Sequence, residues 1–409
     1  MKQHSSSRSL FSPGSGAILL LSLVFLAARS SVAVSQNSIL AKIPVNTAHY
    51  LGSYNPPPLS GCPQMESGHI TDYSRFSYDS IHNQMLMFGG GHASVPRTDV
   101  DVLDLNEGSS LTWGSAYPST PVSDMTFANF NQATGSWITT GHPLTRHTYD
   151  MMTFDKDTGE LILLQPVGPQ AHCQEKRDWY LYPGKVWIYN PTTKIWRATA
   201  GNPDVWGIRE MEHLAAEYDP ISRQVIIIGR LGIYSFDPAS EVAVRRKSFV
   251  RPELSLAQNL VYYPPNGKMY YILNNGTIFE VTIERSNLAK SSIVQMKGLV
   301  GTFPRGVMPP LSDAGETGWA YDSTNKIIGG GIANSTFYAF DPIARRWTAT
   351  RMRSDSSSRT IGKLTFHALD YDPVDNVFIF ISRAPGDGID KQNTWAYRYG
   401  DGGKSRGKQ

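Results

Sequence analysis

Residues Tyr78–Trp113 read YDSIHNQMLMFGGGHASVPRTDVDVLDLNEGSSLTW, and their pattern sets the reading of the whole chain. An aromatic–acid pair (Tyr78, Asp79) opens a polar turn, and an apolar run from Met85 to Phe88 follows. Three glycines, Gly89 to Gly91, stop that run. A second alternating run, Val100 to Leu105, ends beside Asp104, and Trp113 follows after another polar turn. Short runs of period two, punctuated by turn residues, are strands rather than helices.

The same order returns five times, opened by Phe154-Asp155, Tyr218-Asp219-Pro220, Tyr262-Tyr263-Pro264, Tyr321-Asp322 and Tyr371-Asp372-Pro373. A second glycine triplet stands at Gly329 to Gly331, and tryptophans recur at Trp196 and Trp347. The fourth unit is the most degraded copy, and the sixth shows three strands and no Trp-bearing fourth. Four-strand repeats of roughly 40 to 50 residues are the signature of propeller blades. A complete ring needs a fourth strand for the sixth unit, because closure removes exposed sheet edges. That strand is expected within Ile39 to Tyr54. Six blades are read, and Gly114 to Thr145, with a candidate strand at Ser136 to Thr140, leaves room for a seventh.

The units resemble Kelch repeats, in which an aromatic–Asp turn, a glycine pair, an acidic turn and a Trp succeed one another. The likeness covers about Gly68 to Tyr399. It implies an all-β, Kelch-type β-propeller closed by an N-terminal strand, and the fold by itself names no activity.

The 409 residues, 40% hydrophobic and 11% aromatic, are enough for a large core. A formal charge of +3 carries no basic stripe of the kind nucleic-acid binders show. Residues 1–33 combine Arg8, an apolar stretch from Ala17 to Ala28 and small residues Ser31-Val32-Ala33, the pattern of a cleaved signal peptide. An uncleaved anchor is the alternative, but the apolar part is shorter than the roughly 20 residues a spanning helix needs. The organisation expected is therefore a signal peptide (1–33), a segment with the closing strand (34–67), the propeller (68–400) and a disordered basic tail (401–409). The protein is expected to be secreted or periplasmic, a monomer free of the membrane after cleavage. Cys62 and Cys173 read as one disulfide, with metal ligation by His142, His172 and Cys173, a structural zinc ion, as the alternative.

If the first strand of each unit runs along the channel, the loops entering it and those leaving the second strand share one face. Seven of the ten histidines then gather there, at 69, 92, 142, 147, 172, 213 and 367. A His or Arg at such a strand start also serves to bond a neighbouring blade's backbone. The expected ligand is a polysaccharide or other glycan, anionic ones included. Arg97, Trp179, Tyr180, Glu210 and His213 are its candidate contacts, since Arg grips carboxylates and aromatic rings stack on sugars.

The alternative is a lyase that cleaves uronate glycans by β-elimination. It would need a cation (Arg146 or Arg209) and proton-exchanging groups (His92, His147 or Tyr149). Propeller lyases of the ulvan-lyase kind are the comparison this suggests. Copper-radical oxidases of the galactose-oxidase kind also use Kelch blades, but they take a metal ligand from a domain after the propeller.

Overall fold

The computed structural model describes residues 35–54, 59, 61, 73–89, 97–166, 184–207, 213–251, 254, 258–273, 276–301, 318–333, 335–383 and 392–400. The side chains of residues 258, 363, 365 and 366 lie outside that set. Six sheets follow one another along the chain; the four main strands of each pair antiparallel, in chain order except for the strand that closes the last sheet, and the short strands Val300–Gly301 and Arg353–Ser354 add a parallel fifth strand to two of them.

Blade 1 comprises Phe76–Asp79, Gln84–Phe88, Val100–Asp104 and Trp113–Ser115. Blade 2 comprises Met152–Asp155, Glu160–Leu163, Trp187–Asn190 and Ile195–Ala198. Blade 3 comprises Leu214–Asp219, Gln224–Gly229, Gly232–Asp237 and Val242–Ser248. Blade 4 comprises Gln258–Tyr263, Lys268–Leu273, Ile278–Thr282 and Ser292–Gln295. Blade 5 comprises Trp319–Asp322, Ile327–Ala333, Thr336–Asp341 and Arg346–Arg351.

Blade 6 comprises Lys363–Asp372, Val377–Arg383 and Gln392–Arg398, and its fourth strand is Thr47–Tyr54 from the N-terminal side of the chain. The expected closing strand is therefore present. The first strand of every blade packs against the first strands of both neighbours, blade 6 returning to blade 1. The chain is a six-bladed β-propeller. The stretch with room for a seventh blade instead holds a two-stranded hairpin, Phe130–Asn131 with Ser136–Trp137, over its own small core of Met125, Phe130, Trp137 and Leu144. No helix among the described residues is long and apolar enough to cross a membrane.

The aromatic–acid pairs shape the first turn of five blades, all but blade 4, which has Tyr263-Pro264 there. Asp79 accepts from the main-chain N–H groups of Ile81 and His82 at 2.9 and 3.0 Å, and Asp322 does the same for Thr324 and Asn325 at 2.8 Å. Asp155, Asp219 and Asp372 repeat the arrangement. An aspartate that bonds the backbone ahead of it pre-forms the turn. Each of the six first turns ends on a left-handed residue: Asn83, Gly159, Arg223, Gly267, Lys326 and Asn376.

Burial is distributed over six interfaces between adjacent blades rather than one centre. Leu86, Phe88, Phe154 and Leu161 fill the seam of blades 1 and 2, for example, and Tyr271, Phe279, Ile226 and Ile228 that of blades 3 and 4. Trp113, Trp196 and Trp347 sit in fourth strands and pack into seams with the preceding blade.

The second glycine triplet has a steric cause. Gly330 has φ +152°, and a Cβ there would stand 1.9 Å from the carbonyl oxygen of Gly318. Gly330→Ala should therefore lower stability by about 2 kcal/mol or more. Gly114→Ala, where a Cβ meets nothing within 4 Å, should stay within about 0.5 kcal/mol. Urea unfolding of the two variants checks this pair of outcomes.

Candidate functional site

A strand's period of two decides which inner residues face the axis. In every blade the residue immediately before the aromatic lines the channel: Ser77, Thr153, Glu217, Val261, Ala320 and Asp370. The position two residues after the aromatic lines its outer mouth: Ser80, Lys156 and Ser323 in blades 1, 2 and 5, and Pro220, Pro264 and Pro373 in blades 3, 4 and 6. Together with the rings of Tyr262, Tyr321 and Trp319, these enclose an axial cavity of about 280 Å³ that opens between the first turns of the blades.

Its floor is charged. Arg75 lies on the axis with Asp150 Oδ1 at 2.9 Å and Glu217 Oε2 at 2.8 Å, and it also donates to the carbonyl of Ala216 at 2.8 Å. Asp150 accepts from Asn259 Nδ2 at 2.7 Å and from the N–H of Leu260 at 2.8 Å. Asn259 in turn contacts His367 Nδ1 at 3.0 Å. Asp370 accepts from the N–H groups of Tyr78 and Tyr371, both at 2.8 Å. Five of the six blades contribute to this cluster.

Burial raises the carboxyl of Asp150 to about 7, against the opposing pull of Arg75. Burial also raises Glu217 and Asp370, again opposed by Arg75. Shifted acids around a partnered cation in a cleft are the physical mark of a candidate site. They are acceptors for hydroxyl or ammonium donors, with aromatic walls beside them.

The other end of the channel is where the histidines were expected. There Tyr73 stacks on His147 with ring centres 4.5 Å apart, and His147 Nδ1 lies 3.4 Å from Tyr149 Oη. Tyr73 and Tyr149 both hold left-handed backbone, φ +59° and +45°. The structure thus brings His147 and Tyr149 together.

Arg146 is used differently from the expectation. It is fully buried and donates to the carbonyls of Leu144 and Gln165 at 2.9 Å and Gly135 at 3.3 Å, and burial lowers it to about 9. Its guanidinium ties the hairpin insertion to blade 2 instead of facing a ligand. Arg97 is likewise 5% exposed and bound to Asp99 and Asp101, with Tyr54 donating to Asp101. That network anchors the closing strand of blade 6 to blade 1. His142, lowered by burial, contacts Thr98 Oγ1 at 3.2 Å, and His213 is half-buried at the start of blade 3. His92, His172, Cys173, Cys62, Trp179, Tyr180, Arg209 and Glu210 lie outside the described residues. Among the described residues no group of three His, Cys, Asp or Glu side chains is placed to hold a metal ion.

Sequence reading missed Arg75, Asp150, Glu217 and Asp370. The available signal was the column before each aromatic, where Glu217 and Asp370 stand among small and apolar residues.

No family model matches the chain, and no curated protein matches it. Solved structures similar to it include a protein of unknown function from Bacteroides thetaiotaomicron VPI-5482, with 8% identity, TM-score 0.48, and 85% of this chain and 75% of that chain covered. An auxiliary nutrient binding protein from the same organism shows 11% identity, TM-score 0.44, and coverage of 89% and 74%. A chain of a mitotic checkpoint complex shows 10% identity, TM-score 0.44, and coverage of 98% and 100%. Likenesses this distant say nothing of what the chain binds.

The pH consequence of Asp150 has a definite sign. Its carboxyl titrates near 7 when folded and near the ordinary value of about 4 when unfolded. The native state therefore holds the extra proton between those values, and stability falls as pH rises from about 4 to about 7. Urea unfolding across that range should show the wild type losing stability relative to Asp150→Asn, with the difference level above pH 7.

Proposed function

We propose that the chain is a Kelch-type propeller, exported by its N-terminal segment, that binds a carbohydrate in the axial channel. The aromatic–Asp turns, the glycines at Gly89 and Gly330 and the fourth-strand tryptophans support the Kelch kinship, and the apolar stretch from Ala17 to Ala28 ahead of Ser31-Val32-Ala33 supports export.

The observation that carries the binding reading is the composition of the axial cavity. Tyr262 and Tyr321, both half-buried, stand on its wall above Arg75, Glu217 and Asp370. A sugar presents an apolar C–H face and a rim of hydroxyls. Rings accept the first, while carboxylates and a guanidinium bond the second in fixed directions. Small-molecule sites in general combine apolar walls with a few convergent polar groups, and this cavity does so where six blades meet.

Glycan-array screening of the purified chain, followed by calorimetry on the best binder, tests this. Tyr262→Ala is expected to weaken binding at least about tenfold, as removal of a central aromatic contact does. Binding unchanged in the folded variant would place the ligand elsewhere.

A second reading, β-elimination of a uronate glycan, is favoured by the His147–Tyr149 pair at the opposite end. A histidine and a phenol 3.4 Å apart can exchange a proton. Unsaturated product, followed by its ultraviolet absorbance, should form with wild type and vanish in His147→Ala. Absence of product on all uronate glycans leaves binding as the function.

A further inference from the structure

Resting on that carbohydrate reading, we propose that the sugar seated in the axial cavity carries a protonated amine, as the units of a glucosamine polymer do. Three carboxyl groups, Asp150, Glu217 and Asp370, stand in the cavity floor or directly against it; Asp150, raised to about 7, is mostly protonated near pH 6, so the charge of Glu217 and Asp370 faces a single guanidinium, Arg75. Arg75 contacts Asp150 and Glu217.

Asp370 is held by two main-chain N–H groups and by no cation in contact among the described residues. Glu217 accepts from Arg75 through Oε2, and no described residue donates to its Oε1. The other cation lining the cavity, Lys156, is exposed at the mouth; it pulls Glu217 and Asp370 down through space, but among the described residues no hydrogen bond or ion pair joins it to either, and salt weakens its reach.

Sugar hydroxyls would satisfy the acceptors and leave the excess negative charge unanswered. An ammonium group brings three donors and the missing charge together. The walls agree with that choice. The faces of Tyr262 and Tyr321 can attract a cation. A further acceptor stands at the adjoining position of blade 1. Ser77 lines the same cavity, is 3% exposed, and its Oγ has no hydrogen-bond partner among the described residues. A buried hydroxyl without a partner is uncommon in a finished fold, and one facing a cavity is readily satisfied by a ligand's donor. A uronate, by contrast, would add a further negative charge beside Glu217 and Asp370.

The test is calorimetric titration of the full chain with three β-1,4-linked hexamers of glucosamine, N-acetylglucosamine and glucose, at about pH 6, where an amine is protonated. The glucosamine hexamer is expected to bind at least about tenfold more tightly than either neutral hexamer, with the margin shrinking as salt is raised. Glu217→Gln and Asp370→Asn, each checked for folding by thermal melting, should bring the affinity ratio towards one. Neutral hexamers that bind as well as the amine form overturn the amine assignment and leave the carbohydrate reading standing. A preference that survives both substitutions in folded chains also overturns it. If no hexamer binds, the amine assignment falls, and the glycan array decides the carbohydrate reading separately.

Discussion

Six first strands converge on one axis, and that crowding governs what each can carry. Ala215 and Ala368 lie where neighbouring first strands meet, and blade 5 places Gly318 against Gly330 at the same level. Arg75 reaches across to blades 2 and 3 and ends between two carboxylates. A buried ion that loses its partner is strongly destabilising, whereas the intact pair contributes little net stability. The axial charges therefore constrain geometry more than they strengthen the ring. Their shifted acids also give the channel a chemistry that the apolar seams lack.

Outside the axis the blades are joined by side chains that reach over the seams. Tyr218 of blade 3 donates to Asp157 of blade 2, and Tyr371 of blade 6 donates to Thr324 of blade 5. Tyr263 of blade 4 donates to the carbonyl of Lys326 in blade 5. In each case the phenol meets a first turn, whose shape an aspartate or a left-handed residue has already fixed. Rigid turns thus hold both the seam contacts and the mouth of the cavity, so the rings at that mouth are set before any ligand arrives.

Strand order, blade number and the closing strand were legible because they depend on period-two runs and on turn residues, both local features. Tyr78-Asp79 and its five counterparts mark the inner strands directly. The site was less legible. Arg146 and His147 are adjacent in sequence and looked equivalent, yet alternation buries the first among carbonyls and leaves the second half-buried beside Tyr73. Arg97 looked like a surface cation, but Asp99 and Asp101 follow at the spacing that folds it inward. Glu217 and Asp370 were overlooked because each is unremarkable in its own strand. Their meaning comes from six strands being arranged about one axis, which a single unit does not encode.

Thr47–Tyr54 completes the blade whose remaining strands begin at Lys363, and Thr47 pairs with Arg398. On a ribosome the closing strand emerges first and has no partner until the last of the blades has been made. Five blades can assemble in order as they appear, each seam sealing on the one before. The sixth waits on a contact between opposite ends of the sequence, so the ring locks in one late, long-range step. Until then its two open edges are exposed to strands of other molecules. Synthesis, rather than the finished fold, is the period in which this architecture is most open to mispairing.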